Sequence, residues 1–263
     1  MRRLWSNLLV ASILAMAGGQ AWAQITTINM AINKAGYQRA LSQRVAKLYI
    51  QIGVQINAER GKKLLDESVA QLDRELVELK NFAPTPEIKN HYLKQEALLS
   101  AYKDVVLGNV PSPDNGRKVL AISEDYLALA NQGTGMLEKQ AGTTAGHLVN
   151  ISGRQRALSQ RMAKFYNAEA WGVSNVNGAA ILAATRKEFA AALNELGSSP
   201  ANTSQINESL ELVRQQWVFF DSALNRKPSI TDKEQLSAIA TTSERILEEL
   251  NRAVGLYEKL PSK

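Results

Sequence analysis

Two stretches of this chain carry the same polar side chains at the same spacing. Residues 33–49 read NKAGYQRALSQRVAKLY and residues 150–166 read NISGRQRALSQRMAKFY, with 12 of 17 identical at an offset of 117. The shared set includes Gly36/Gly153, Gln38/Gln155, Arg39/Arg156, Ser42/Ser159, Gln43/Gln160 and Arg44/Arg161. A core can exchange one apolar residue for another, so packing alone rarely keeps a polar set fixed. Arginine and glutamine donors with a serine hydroxyl suit an anion. Guanidinium is planar, always charged, and offers paired donors to a planar oxyanion. No acid within either motif neutralises these arginines. The competing reading is that they snorkel over apolar surface or form ion pairs across a bundle.

The spacing predicts a helix beneath each motif. At about 100° per residue, Tyr37, Leu41, Val45, Leu48 and Ile52 fall on one face, and Arg154, Leu158, Met162 and Phe165 occupy the same places in the second copy. That face is the expected bundle core. Arg39 and Arg156 point away from it, which predicts that their face meets a second helix around a small ligand.

The repeat extends through each half. Leu72, Leu76 and Leu79 are matched by Phe189, Leu193 and Leu196, and Ser123-Glu124 with Leu127 by Ser243-Glu244 with Leu247. The offset grows from 117 to 120 only across breaker segments such as Ala83-Pro84-Thr85-Pro86, as expected of surface loops. Each unit reads as three helical stretches. The first unit has them at about 27–81, 86–107 and 116–140, and the second at about 148–196, 204–224 and 232–260. Thr85-Pro86-Glu87 is a helix start, with a cap and a proline at the first position. Thr231-x-x-Glu234 has the form of a capping box. Gly53, Gly61, Gly172 and Gly178 interrupt the long first helices as kinks or true turns, and Gly142–Gly146 is either a linker or part of a continuous helix. Alternating strand runs are absent. The expected fold is all-α, two tandem antiparallel helical-bundle units over 24–146 and 147–263.

The motif resembles the periplasmic sensing module of type IV pilus methyl-accepting chemotaxis transducers and of nitrate/nitrite sensor histidine kinases. The kinases carry a signature of the form INKAGxxRxxSxR, and this chain has Ile32-Asn33-Lys34-Ala35-Gly36, then Arg39, Ser42 and Arg44. The second copy departs before its glycine, with Ile151 in place of the lysine, but keeps Arg156. The stretch Gln-Arg-Ala-Leu-Ser-Gln-Arg is closer to the pilus-transducer type. The resemblance implies that Arg39 binds nitrate, and that two copies clamp one anion between them. Combined with the duplication, it implies an internal pseudo-dimer with Arg39 and Arg156 facing across a shared site. It also implies a membrane chemoreceptor or sensor kinase as partner.

Residues 1–23 read as a secretory signal peptide: Arg2-Arg3, an apolar Leu8–Ala17 stretch too short to span a bilayer, and an Ala21-Trp22-Ala23 cleavage site. The expectation is a soluble periplasmic protein beginning near Gln24. The whole chain carries a net charge of +6, and loss of Arg2 and Arg3 leaves 29 basic against 25 acidic residues, with no basic block to recruit nucleic acid. Zero cysteines exclude disulfides and thiolate chemistry. His91 and His147 have no metal-ligand spacing, His91 reading as surface or half-buried and His147 lying within reach of the second motif. Neither Ser42 nor Ser159 has a base in sequence, and no GxSxG elbow is present. The function expected is therefore binding of a small anion, nitrate or nitrite foremost, without catalysis and without a cofactor or metal. The alternative is a structural protein docking a pilus or chemosensory component, with the motif as a helix-packing seam.

Overall fold

A computed structural model describes residues 24–175 and 177–261. Among them are eight helices and no strands: α1 Ile28–Gly53, α2 Ala58–Phe82, α3 Pro86–Leu107, α4 Pro113–Ala141, α5 Thr144–Trp171, α6 Gly178–Gly197, α7 Ser204–Leu224 and α8 Lys233–Glu258. The first four form one unit and the last four the other. The signal-peptide reading lies outside the described residues.

Most helix starts follow side-chain capping, in which a hydroxyl or carboxylate satisfies an otherwise unpaired backbone N–H. Thr27, Thr85, Ser112, Thr143 and Thr203 each accept from the backbone amide three residues on. Pro86 and Pro113 supply a preset φ where no donor is needed. The last helix departs from the expected capping box: Asp232, not Thr231, accepts from the Gln235 amide at 3.0 Å. An aspartate one residue nearer the helix makes the better cap.

Each expected long first helix is two helices. The first break falls at Val54–Asn57, upstream of Gly61, where Gln55 and Asn57 take positive φ and Val54 and Ile56 turn inward as buried residues. The second falls at Gly172, whose φ of 72° ends α5. Gly53, the last residue of α1, lies against the Trp171 ring; a Cβ there would stand 2.2 Å from it. The junction between units is also broken, with Gly142 at φ 60° and Thr143 capping α5.

The centre of the molecule is the α1–α5 pair, the most extensive helix contact in the structure. The two run parallel: Gly36 lies against Gly153, and further along Lys164 reaches Gln43. Within its unit α1 packs on α2 and α4, and α5 packs on α6 and α8. The motif helices are thus buried on nearly every side, and their polar side chains must find partners inside the protein. Beside the expected core face, the polar face of each motif helix meets the other motif helix. Arg154, placed on the core face by spacing, is exposed and paired with Glu188.

Candidate functional site

The basic letters Arg44, Lys47, Arg161 and Lys164 hold the two units together. Arg44 on α1 closes on Glu244 of α8, with Nε 3.0 Å from Oε2, and its Nη1 donates to Ser68 at 3.1 Å. Lys47, fully buried, donates to Ser243 at 3.0 Å and pairs with Glu244. The second copy repeats this in the opposite direction. Arg161 on α5 pairs with Glu124 of α4 and donates to Thr185, while Lys164 donates to Ser123, Glu124 and Gln43. Each motif helix therefore sends two cations to an acid of the other unit. Burial alone would raise Glu124 and Glu244, but their lysine and arginine partners outweigh it and hold both carboxyls down to about 2. Burial lowers Lys47 and Lys164 to about 8.

The glutamines and serines are equally committed. Gln43 donates to the Ser123 carbonyl and Gln160 to that of Ser243, each at 2.8 Å. Gln38 donates to the Leu72 carbonyl and accepts from Tyr126, and Gln155 donates to the Phe189 carbonyl. Ser42 and Ser159 bond back to the carbonyls of Arg39 and Arg156 at 2.8 Å. None of these side chains hydrogen-bonds the guanidinium of Arg39 or Arg156.

Arg39 and Arg156 are different. They are 2% and 3% exposed. A Cβ built on Gly36 would lie 3.0 Å from Arg39 Nη2 and 3.4 Å from Arg156 Nη2; one built on Gly153 would lie 3.4 and 3.3 Å from the same two atoms. The guanidiniums thus converge over a floor of two glycines. Every hydrogen-bond acceptor they touch is neutral. Arg39 donates to Asn131 Oδ1 at 3.3 Å and the Asn150 carbonyl at 3.0 Å; Arg156 donates to Asn251 Oδ1 at 3.0 Å, to the carbonyl and Oδ1 of Asn33, and weakly to the Gly153 carbonyl. Among the described residues no carboxylate forms an ion pair with either. Burial, with the neighbouring Arg156 next, lowers Arg39 to about 9; burial lowers Arg156 to about 10. Arg39 Nε is buried without a partner. Of five N–H groups on a guanidinium, Arg39 uses two.

The halves are not equivalent. Arg156 lies over the Tyr37 ring at 4.8 Å. The repeat partner of Tyr37 is Arg154, so Arg39 has a third cation nearby where Arg156 has an aromatic face. Arg156 also lines an open cleft shared with Tyr37, Glu75, Asn251 and Glu258.

Both histidines differ in part from expectation. His91 is buried, donating from Nε2 to the Leu129 carbonyl at 2.9 Å. His147 is exposed between Glu138, 2.5 Å away, and Glu195, 3.4 Å away, and touches the motif only indirectly. Glu138 holds the Asn150 side chain, and the Asn150 carbonyl accepts from Arg39. Among the described residues no cluster of three metal-ligating side chains occurs, and no helix is long and apolar enough to cross a membrane.

Sequence reasoning did not single out Lys47/Lys164, Glu124/Glu244 or Asn131/Asn251. The signal was present: the lysines belong to the identical set, and the acids and asparagines recur at an offset of 120.

A family model described as the N-terminal part of type IV pili methyl-accepting chemotaxis transducers matches residues 21–106 and 140–252, a segment in each repeat. No curated protein and no solved structure matches the chain.

Proposed function

From the premise that this chain belongs to the type IV pilus chemotaxis transducer N-terminal family, we propose that it is an exported, periplasmic sensing protein whose ligand is a small planar oxyanion, nitrate or nitrite foremost, held between Arg39 and Arg156. One observation carries this reading: two buried guanidiniums converge on a glycine floor with no carboxylate bonded to them. Burying a charge is costly unless it is paired, and every other buried cation of the motif has its acid. An oxyanion between Arg39 and Arg156 would supply the missing charge and accept from the unused N–H groups. The remaining motif residues act as the packing seam of the rival reading, so the ligand set contracts to the two arginines with their asparagine supports.

Binding would replace repulsion between two parallel helices by a shared bridge. The spacing of α1 and α5 is then the quantity that changes with occupancy, and a membrane receptor or kinase contacting their ends would read it. A ligand that favours one spacing shifts the population toward it.

Calorimetry of the purified protein with nitrate and nitrite, with chloride as a control, tests the proposal. The expected result is saturable heat for the oxyanions, abolished in an Arg39→Ala/Arg156→Ala variant. At 100 times the dissociation constant the ligand should add about 2.7 kcal/mol of stability. Silence with both anions, or binding unchanged in the double variant, sinks the reading.

A further inference from the structure

The cleft beside Arg156 contains two carboxylates that form no ion pair. Glu75 is 8% exposed. Its Oε1 accepts from Gln71 at 3.0 Å, and its Oε2 is buried with no partner. Glu258, across the cleft on α8, accepts from the Asn33 side chain at 2.5 Å. Among the described residues neither glutamate forms an ion pair; Lys34, which lines the same cleft, is taken by Glu78 at 2.7 Å. The related cleft of the other half, beside Asn131, is different. There Glu188 is paired with Arg154, and Glu124 with Arg161 and Lys164. The repeat partner of Glu75 is Ala192, so only one half carries this buried acid.

We propose that the cleft formed by Glu75, Glu258 and Tyr37 next to Arg156 is an ammonium subsite, so that the ligand preferred at the arginine pair is a small zwitterion, an α-amino acid, rather than a bare anion. The inference rests on the arginine pair being the oxyanion site. Its own support lies in Glu75 and Glu258, which the oxyanion reading does not use. A buried carboxylate is unfavourable unless hydrogen-bonded and paired, and Glu75 has one oxygen unused. Burial raises the Glu75 pKa above its ordinary value, against the pull of Gln71, Lys34 and Arg156. An ammonium group has three donors and no acceptor, which suits the unpartnered buried oxygen of Glu75, with Glu258 lining the same cleft. The carboxylate of the same molecule would take the guanidinium that lines the cleft, and the Tyr37 edge would bound the side chain. Such a ligand leaves the site's net charge unchanged, whereas a bare anion places its charge beside two acids.

Calorimetry near pH 7 on the whole protein distinguishes the parts, using nitrate, acetate, methylamine, glycine and L-alanine as probes. The expected result is that glycine or alanine binds at least tenfold more tightly than acetate, with methylamine weak. Glu75→Ala should remove that gain and leave acetate and nitrate affinity unchanged. This variant writes into the first repeat the residue the second already has, and Glu75→Gln serves as an isosteric check. Amino acids binding no more tightly than acetate, or a gain that survives both variants, overturns the subsite while leaving the oxyanion clamp standing. If no probe binds at all, the clamp itself is wrong and the subsite with it.

Discussion

Glu244 receives Arg44 and Lys47 from the opposite unit, so Glu244→Gln tests the cross-bracing directly. The substitution keeps the shape and removes the charge. Fully buried Lys47, beside Ser243, and Arg44, beside Ser68, would then face a neutral amide in place of the carboxylate. The native carboxyl lies at about 2 against an ordinary 4.5. At 1.36 kcal/mol per unit this difference corresponds to about 3 kcal/mol favouring the charged form, within the 3–5 kcal/mol typical of breaking a buried pair by one partner. Urea denaturation followed by helical circular dichroism should therefore show a loss of about 3 kcal/mol at pH 7. Lys47→Met/Glu244→Gln should recover much of it, because the double change leaves no orphaned lysine. The pH dependence has a definite sign. The folded carboxyl pKa is depressed, so its contribution is present above about 4.5 and is lost as pH falls toward about 2; the variant should lack that acid-side loss. Lys47, at about 8 folded against 10.5 ordinarily, makes stability rise with pH between those values. Glu244→Gln should move the lower edge of that window below 8. A loss under about 1 kcal/mol, or strictly additive single losses in the double variant, would refute the reasoning.

Three further outcomes follow from the same geometry. Arg39→Met removes one of two converging buried cations and should leave the ligand-free protein about 1 kcal/mol more stable or better, while abolishing oxyanion binding; a clear destabilisation in anion-free buffer contradicts the view of Arg39 as unpaired. Gly36→Ala gains up to about 1 kcal/mol in helix propensity but places a Cβ 3.0 Å from Arg39 Nη2. Its melting temperature should change little while oxyanion affinity falls about tenfold, roughly 1.4 kcal/mol; unchanged affinity by calorimetry would count against the glycine floor. His147, its pKa raised first by Glu138 and further by Glu195, stabilises fully below its ordinary 6.5, and that contribution is lost as pH rises through the elevated folded value. His147→Gln should flatten the melting temperature across that window, and a profile as steep as the parent's would show that the α4–α5–α6 contact does not titrate.

Local signals placed α3 and α7 because their ends are written locally: Thr85 before Pro86, Thr203 before Ser204, and a polar or glycine stop after Leu107 and Leu224. The α1–α2 break was harder to read. Its left-handed residues are Gln55 and Asn57 rather than glycine, and the glycine at the end of α1, Gly53, is required by the ring of Trp171, 118 positions away. A single sequence shows which residues could turn, not which distant ring fills the space beside a glycine.

The motif poses the same problem in chemical form. Arg39 and Arg44 are the same residue type five positions apart on one helix, both duplicated, and helical spacing separates their faces but not their partners. Their difference is the presence or absence of an acid in the opposite unit. Arg44 meets Glu244, whereas Arg39 meets Asn131 on α4, and Arg156 likewise meets Asn251 on α8. Those contacts come from positions 124/244 and 131/251, one offset of 120 apart, seven residues along the same two helices. Each motif helix thus takes its carboxylate from the other unit and its neutral amide from its own: α1 from Glu244 and Asn131, α5 from Glu124 and Asn251. Neutral amides leave the charge of a buried guanidinium uncompensated where carboxylates would quench it. The two kinds of partner therefore serve different ends: the acids brace the units together, and the asparagines orient Arg39 and Arg156 while leaving their charge available.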